Sequence, residues 1–428
     1  MDFSIDSFYN PHLALGATRL DAVISVTASG GSASAATAGT GGPKGIVFVF
    51  DVSGSMGGEK LAMGKLAIRR CIDLLEPTSF FGVIAFSDNA NVIVPLVPAD
   101  ARNKARAHGE IQNLRAGGST AMSTALLAAK RQFANAGGMI GFVQFVTDGE
   151  NNQDDRPRLQ AAIKSCEDAF QCDCWGVGTS WRPDELRQIS GALLGTADAV
   201  PRPENLELYF KGALERALAK SVADVRLRLQ TPRTSRIVSV KQMSPEIANL
   251  TPLAKRVDEK LMDIPLGAWG TETREYHLVF EIDSQPEGEE LMACRPKLVF
   301  GQNGKEVVVD GPRIVAAWTT DDALSTRINP QVAHYTGQEE LASSIREGLE
   351  AKARGDVDQA TMLLGRAAKI AIESGNDQVT QRLKKVVDVI DPDQGTVRLR
   401  AGNDRGAELE LDMGGTRTVR RRVADSQK

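Results

Sequence analysis

The sequence predicts an α/β protein built on a mostly parallel sheet covered by helices on both faces, joined to an all-β part and a C-terminal helical part. Three observations carry this reading. Between about residues 44 and 221, wholly apolar strand-like runs alternate with segments of helical period, as a parallel sheet with crossover helices requires. From about residue 222 the apolar period switches to two, which belongs to half-buried strands. Beyond residue 320 the spacing returns to that of amphipathic helices separated by tight turns.

The elements follow in order. Leu20, Ala22, Ile24 and Val26 alternate with Asp21, Val23, Ser25 and Thr27, which predicts one half-buried strand. A lone strand is not a domain, so residues 1–27 are expected to complete the all-β part from a distance. Residues 28–43, mostly Gly, Ala, Ser and Thr, read as a flexible linker. Residues 46–50 are fully apolar and end at Asp51, as a strand buried on both faces should. Leu61, Ile68, Cys71, Ile72 and Leu75 recur at helical spacing. Residues 81–86, 142–147 and 172–176 are further strands, with helices predicted over 121–133 and 159–170.

In the all-β part, residues 222–320, Val225, Leu227 and Leu229 alternate with Arg226, Arg228 and Gln230. Residues 277–282 form another predicted strand, and 297–300 and 307–309 flank Asn303-Gly304, a strong hairpin signal. The helical part, residues 321–395, is expected to be a three-helix bundle. Thr336-Gly337-Gln338-Glu339 fits a capping box ahead of Leu341, Ile345 and Leu349. A second helix carries Leu363, Ala367, Ile370 and Ala371, and a third carries Val379, Leu383, Val386, Val387 and Ile390. Gly355 with Asp356, and Gly375 with Asn376, punctuate them. Residues 396–428 are polar, end in Arg417, Arg420, Arg421 and Arg422, and are expected to be a flexible tail.

Composition removes several function classes. The 428 residues are 42% apolar and 25% charged, an average globular balance that supports full cores. Fifty-one Lys and Arg against 55 Asp and Glu leave a formal charge of −4, without the basic footprint of a nucleic-acid binder. The strongly apolar run at 46–50 is too short to span a bilayer. No basic region followed by an apolar stretch opens the chain, so no signal peptide is expected. Five cysteines, an odd number, make no disulfide framework, and a reducing, cytoplasmic compartment is expected.

The chemistry concentrates in Asp51-Val52-Ser53-Gly54-Ser55. It follows directly on a buried strand, so its oxygens sit at the strand's C-terminal end, where ligands of open α/β sheets bind. One carboxylate and two hydroxyls at alternate positions of a tight turn suit a hard cation and do not suit zinc. Gly117-Gly118-Ser119-Thr120 is a glycine-rich turn that places Thr120 near the N-cap of the next helix. Phe145-Val146-Thr147-Asp148-Gly149 ends another apolar strand with a carboxylate. Three loops therefore converge on one sheet edge.

This set resembles the von Willebrand factor A-type family, whose metal-ion-dependent adhesion site is Asp-x-Ser-x-Ser, a distant Thr and a distant Asp. The matching positions are Asp51, Ser53, Ser55, Thr120 and Asp148, and the resemblance covers about residues 44–220. It implies a doubly wound sheet. It also implies a site where hydroxyls hold the cation directly, carboxylates act through water, and an open position takes a partner's carboxylate. The flanking segments resemble bacterial multidomain members, in which a β-sandwich and a helical tail accompany the A-type domain.

The function expected is a non-enzymatic, divalent-metal-dependent protein-interaction module. Mg²⁺ is the expected ion, with Mn²⁺ or Ca²⁺ as alternatives, and the partner is a protein presenting Asp or Glu. The resemblance further implies a bacterial signalling or stress assembly with an ATPase, kinase or phosphatase. Two other readings stay open: a metal-dependent phosphatase or other hydrolase using the same cation, and metal-mediated self-assembly.

Other signals are weaker. Gly54 through Leu61 departs from a phosphate-binding loop, with Glu59 and Leu61 at two of its required positions. A phosphoryl-accepting Asp51 would need a second acid where Ser53 stands. Cys172 and Cys174 share a strand face without further ligands and are expected to be buried thiols. His12, His108, His277 and His334 are scattered. Glu150, Asp154 and Asp155 read as a solvated loop.

Overall fold

The computed structural model describes residues 1–30, 42–134, 136–302, 304–402 and 404–421. Most of the expected linker over 28–43, Asn303 of the expected hairpin and Arg422 lie outside the described residues.

Three strands open the chain: β1 (Asp2–Tyr9), β2 (His12–Ala14) and β3 (Arg19–Ser29). The sequence announces only the third. In β1 just Phe3 and Ile5 turn inward among polar neighbours, too few to show a period.

The next stretch alternates. It runs β4 (Lys44–Asp51), α1 (Glu59–Leu74), β5 (Phe80–Phe86), β6 (Ala90–Pro98), α2 (Ala101–Gln112), α3 (Met122–Phe133) and β7 (Ile140–Thr147). It continues with α4 (Arg156–Cys166), β8 (Gln171–Val177), α5 (Pro183–Ala192), β9 (Ala197–Val200) and α6 (Leu206–Leu218). The sheet order is β6-β5-β4-β7-β8-β9. All neighbours are parallel except β6, which pairs antiparallel with β5 and carries Pro95 and Pro98 as an edge strand can. The sheet is doubly wound, and β4 shows why. Ile46, Phe48 and Phe50 point into one core with α1, α2 and α6, while Val47 and Val49 point into another with α3, α4 and α5. The chain moves outward from β4 to β5, then returns to β7 on β4's other side. That reversal opens a crevice at the C-terminal ends of β4 and β7, the general ligand position of such sheets.

Antiparallel strands follow: β10 (Val222–Gln230), β11 (Ser235–Ser244), β12 (Ala248–Asn249), β13 (Lys255–Arg256) and β14 (Leu261–Trp269). The run ends with β15 (Glu272–Ile282), β16 (Glu290–Gln302), β17 (Lys305–Asp310) and β18 (Ile314–Thr319). Among the described residues they make two sheets, β1-β3-β15-β11-β12 and β13-β14-β10-β16-β18-β2, with β17 on β16. β3 lies between β1 and β15, Ile24 opposite Tyr276. Both sheets contribute to one core, including Ile24, Tyr276 and Phe280 from the first and Leu227, Trp269 and Trp318 from the second.

The C-terminal part holds α7 (Asp322–Ser325), α8 (Pro330–Ala353), α9 (Val357–Glu373), α10 (Asp377–Val386), β19 (Val387–Asp391), β20 (Thr396–Leu399) and α11 (Arg405–Gly414). Three expectations are corrected here. The capping box at Thr336 is interior helix: α8 starts at Pro330 under Asn329, whose side chain accepts from the Gln331 N–H, and buried Tyr335 and Gln338 carry it past Thr336. The third helix stops at Val386, because the β-branched residues after it pair with β20 in a hairpin. The region 321–395 is therefore more than a helical bundle.

Nor is 396–428 a loose tail over its described length. In α11, Leu409 and Met413 enter the core beside α3, α4 and α5, while Ala407 and Leu411 enter the core of α8, α9 and α10. One short helix buries two faces, which its charged neighbours conceal in the sequence. Beyond it Arg417 pairs with buried Asp198 of β9, and Arg420 pairs with buried Glu275 of β15 at 3.1 Å. The Asn376 side chain donates to the Arg417 carbonyl at 2.9 Å. No described helix is long and apolar enough to cross a membrane.

Candidate metal centre

Asp51 is the last residue of β4 and is wholly buried. Its two oxygens are both engaged: one accepts the Ser53 backbone N–H at 2.7 Å, the other the Thr147 hydroxyl at 2.6 Å. After Ser53 the chain turns through a short 3₁₀ segment, Gly54–Met56. Backbone bonds pin this turn to the loop before α3, Gly54 N–H to the Gly118 carbonyl at 3.0 Å and Gly117 N–H to the Val52 carbonyl at 2.8 Å. Gly118 is required there: its φ is +84°, and a Cβ would stand 2.4 Å from a carboxylate oxygen of Asp88.

The three loops meet through side-chain oxygens. Ser53 and Ser55 hydroxyls lie 3.1 Å apart, and Ser55 donates to Asp148 at 2.7 Å. Asp148, immediately after β7, is also wholly buried. Its second oxygen pairs with the Lys60 ammonium from the first turn of α1. Thr120 stands close by, since a Cβ on Gly149 would lie 3.3 Å from the Thr120 hydroxyl and 3.6 Å from that of Ser55. Glycine at 149 thus leaves a gap faced by both hydroxyls. Ser55 is the exposed member of the group, and Ser53 and Thr120 are buried. All five sequence-predicted residues come together at the β4/β7 crevice. Thr120 lies just ahead of α3, whose N-cap is Ala121.

Burial pushes the Asp51 carboxyl up to about 6, with the Thr147 and Ser53 hydrogen bonds pulling the other way and the Asp148 charge adding to the rise. A cation beside it would relieve that penalty. The donor chemistry fits a divalent hard ion: two carboxylates, three hydroxyls, and no thiolate or imidazole among them. Among the described residues no group of three or more His, Cys, Asp and Glu gathers as a metal cluster, so a cation at this crevice would depend on the hydroxyls. Lys60 already places one positive charge on Asp148.

Sequence reasoning missed the supports. Thr147 was hidden by its place beside Asp148. Lys60, between Glu59 and Leu61 of the segment that departs from a phosphate-binding loop, meets a carboxylate. The loop after β7 is held by Asn152, which donates its N–H to the Thr120 carbonyl at 2.8 Å, and by Asn151. The Asn151 N–H donates to Glu185 of α5 at 2.9 Å, and its side chain accepts the Met122 N–H at 3.0 Å. Asp155 corrects an expectation: it is buried, not solvated, and caps α3 by accepting the Ser123 N–H at 2.9 Å. Glu150 and Asp154 are exposed. Cys172 and Cys174 are buried with their sulfurs 3.9 Å apart.

Comparison with known proteins places this geometry. Residues 45–207 match the von Willebrand factor type A domain, and residues 369–415 match the von Willebrand factor type A C-terminal domain. The solved structure of a von Willebrand factor type A protein from Catenulispora acidiphila is 38% identical, with a TM-score of 0.90, over 98% of this chain and 97% of that one. An ArnB paralog, VWA2, from Sulfolobus acidocaldarius shares the fold at 13% identity and a TM-score of 0.63, over 97% of this chain and 98% of that one. A Synechocystis protein, sll0103, is 28% identical over 214 residues, 49% of this chain and 50% of its own length. Human inter-alpha-trypsin inhibitor heavy chain H4 is 34% identical over 116 residues, 25% of this chain and 12% of that protein. The chain thus spans half or less of these two relatives.

Proposed function

This chain belongs to the von Willebrand factor type A family, and we propose that it is a divalent-metal-dependent protein-interaction module that binds rather than turns over. Asp51, Ser53, Ser55, Thr120 and Asp148 would hold the ion, Mg²⁺ by the hardness of its donors. When bound, a divalent ion supplies an electrophilic centre with room for one further anionic ligand. The residues do the rest. Two carboxylates balance a divalent charge, the neutral hydroxyls leave that charge undiminished, and exposed Ser55 keeps the crevice open toward solvent. A partner's Asp or Glu side chain is the ligand this balance favours.

The observation that carries the reading is the convergence of Ser53, Ser55 and Asp148 in one hydrogen-bonded chain beside Asp51 and Thr120. A holding role is supported by the way the two carboxylates are fixed. Asp51 and Asp148 each accept protein donors on both oxygens, which sets their orientation toward an ion. Glu150 is exposed and paired with Arg156 at 3.4 Å. The test is capture of partners from host lysate with wild-type and Asp51→Ala protein, each with Mg²⁺ and with EDTA. Proteins retained only by wild type with Mg²⁺ support the reading. A retained set indifferent to both changes overturns it, as does Mg²⁺-dependent phosphoester turnover that Asp51→Ala abolishes.

A further inference from the structure

We propose that Lys60 is a built-in competitor for the metal, a tethered ammonium that occupies Asp148 when no divalent ion is present and holds the metal affinity of the site down. This rests on the reading of the crevice as a metal centre and assigns a role to a residue outside the five ligands.

Three observations support it. The ammonium pairs with a carboxylate that is wholly buried, while the lysine side chain itself is 27% exposed. It also donates to the Ser55 carbonyl at 3.4 Å, so it addresses the ligand loop as well as the ligand. Its stem passes beside Gly178, where a Cβ would stand 3.4 Å from Lys60 Cε, and the absent side chain leaves a lane for the ammonium along that backbone.

The placement is unfavourable by helix physics alone. Lys60 sits in the first turn of α1, where the macrodipole opposes a cation. What compensates is Asp148. Without a metal, Asp51 and Asp148 bring two buried carboxylates together, and Lys60 offsets the charge of one of them. With a divalent ion the carboxylates are already balanced, so Lys60 must release Asp148 and stand as a like charge beside the ion. Both effects weaken metal binding, and both leave the loaded crevice one positive charge richer toward an acidic ligand. At separations of a few ångströms and the effective dielectric of a protein surface, unit charges interact by several times the thermal energy, enough for roughly tenfold or more in affinity.

The experiment is calorimetric titration of the full chain with MgCl₂ and MnCl₂, on wild type, Lys60→Met, Lys60→Gln, Lys60→Arg and Asp51→Ala, with thermal melts in EDTA and in Mg²⁺. The expected result is at least about tenfold tighter ion binding for both neutral variants, with Lys60→Arg close to wild type. The neutral variants should also melt lower in EDTA and gain more from Mg²⁺ than wild type does. Having two neutral variants guards against one that fails to fold. Unchanged or weaker ion binding in a folded neutral variant, while Asp51→Ala abolishes binding, overturns the role of Lys60 alone. Absence of ion binding by wild type overturns the metal centre itself.

Discussion

Thr147 and Asp51 sit on neighbouring strands at the β4/β7 crevice, and the threonine hydroxyl donates to the buried carboxylate at 2.6 Å. This bond takes one Asp51 oxygen while the Ser53 N–H takes the other, so the carboxylate's orientation is set before any ligand arrives.

Thr147→Val removes that donor without changing the shape of the strand. Outer hydrogen bonds to metal-holding groups typically carry 10–100-fold in affinity, and a loss of about that size is expected for Mg²⁺ by calorimetry. The secondary structure by circular dichroism should not change. Wild-type affinity in Thr147→Val would show that Ser53 alone orients Asp51.

Ser53→Ala and Ser55→Ala should separate ion binding from folding. The bond that ties this turn to Asp51 uses the Ser53 backbone N–H, which alanine retains, and Ser55 is exposed. The Ser55 bond to buried Asp148 is worth about 1.5–3 kcal/mol, and Lys60 stays on the other oxygen of that carboxylate. The double variant should therefore fold, melt several degrees below wild type in EDTA and lose its response to Mg²⁺. A double variant that is still stabilised by Mg²⁺ would move the ion elsewhere.

Glu246, bonded by Thr416 just after α11, gives a pH signature. Burial pushes its carboxyl up to about 7, against the hydrogen bond from Thr416 and the nearby Arg417 charge, with Asp198 and Asp173 adding to the rise. A folded-state value above the ordinary 4.5 means the native chain holds this proton more tightly than the unfolded one. Its stabilising contribution is complete below about 4.5 and is lost as pH rises through about 7. Glu246→Gln should shrink the fall in melting temperature between pH 5.5 and 8 relative to wild type. An identical fall in both proteins would assign the dependence to other groups.

Arg417→Ala strips a partner from Asp198, which is only 2% exposed and keeps the Ala199 N–H at 2.9 Å and, among the described residues, the more distant charge of Arg382 at 3.8 Å. Leaving a buried carboxylate underpaired costs several kcal/mol in full burial. With Arg382 remaining and Arg417 itself 38% exposed, about 1–3 kcal/mol is expected in urea unfolding. Arg417→Lys should recover part of it, since charge returns without the planar fork.

The site was more legible than its surroundings because its chemistry is local. Asp51, Ser53 and Ser55 share one turn, and Thr120 and Asp148 sit where glycine-rich loops and apolar strand ends announce themselves. Their supports are different. Lys60 acquires its meaning from Asp148, 88 residues away, and Glu185 from Asn151 and Arg156, 34 and 29 residues away. The fold was legible where burial on both faces produces unbroken apolar runs, as in β4 and β7. It was illegible in β1, with two inward residues, and in α11, whose two buried faces leave no single apolar stripe for a period to reveal. At Thr336, local capping chemistry gave way to packing of Tyr335 and Gln338.

Leu409 and Met413 also bear on how the chain is made. The sheet that carries the metal centre is complete in its strands at β9, yet the layer over α3, α4 and α5 gains these two residues only from α11. During synthesis, domains emerging from the ribosome fold N-terminal first. Here the first-made sheet must wait, with an apolar flank uncovered, until the antiparallel strands and the helices have all been translated. A chain that stops short of α11 therefore leaves that flank of the sheet's helical layer without Leu409 and Met413 to cover it.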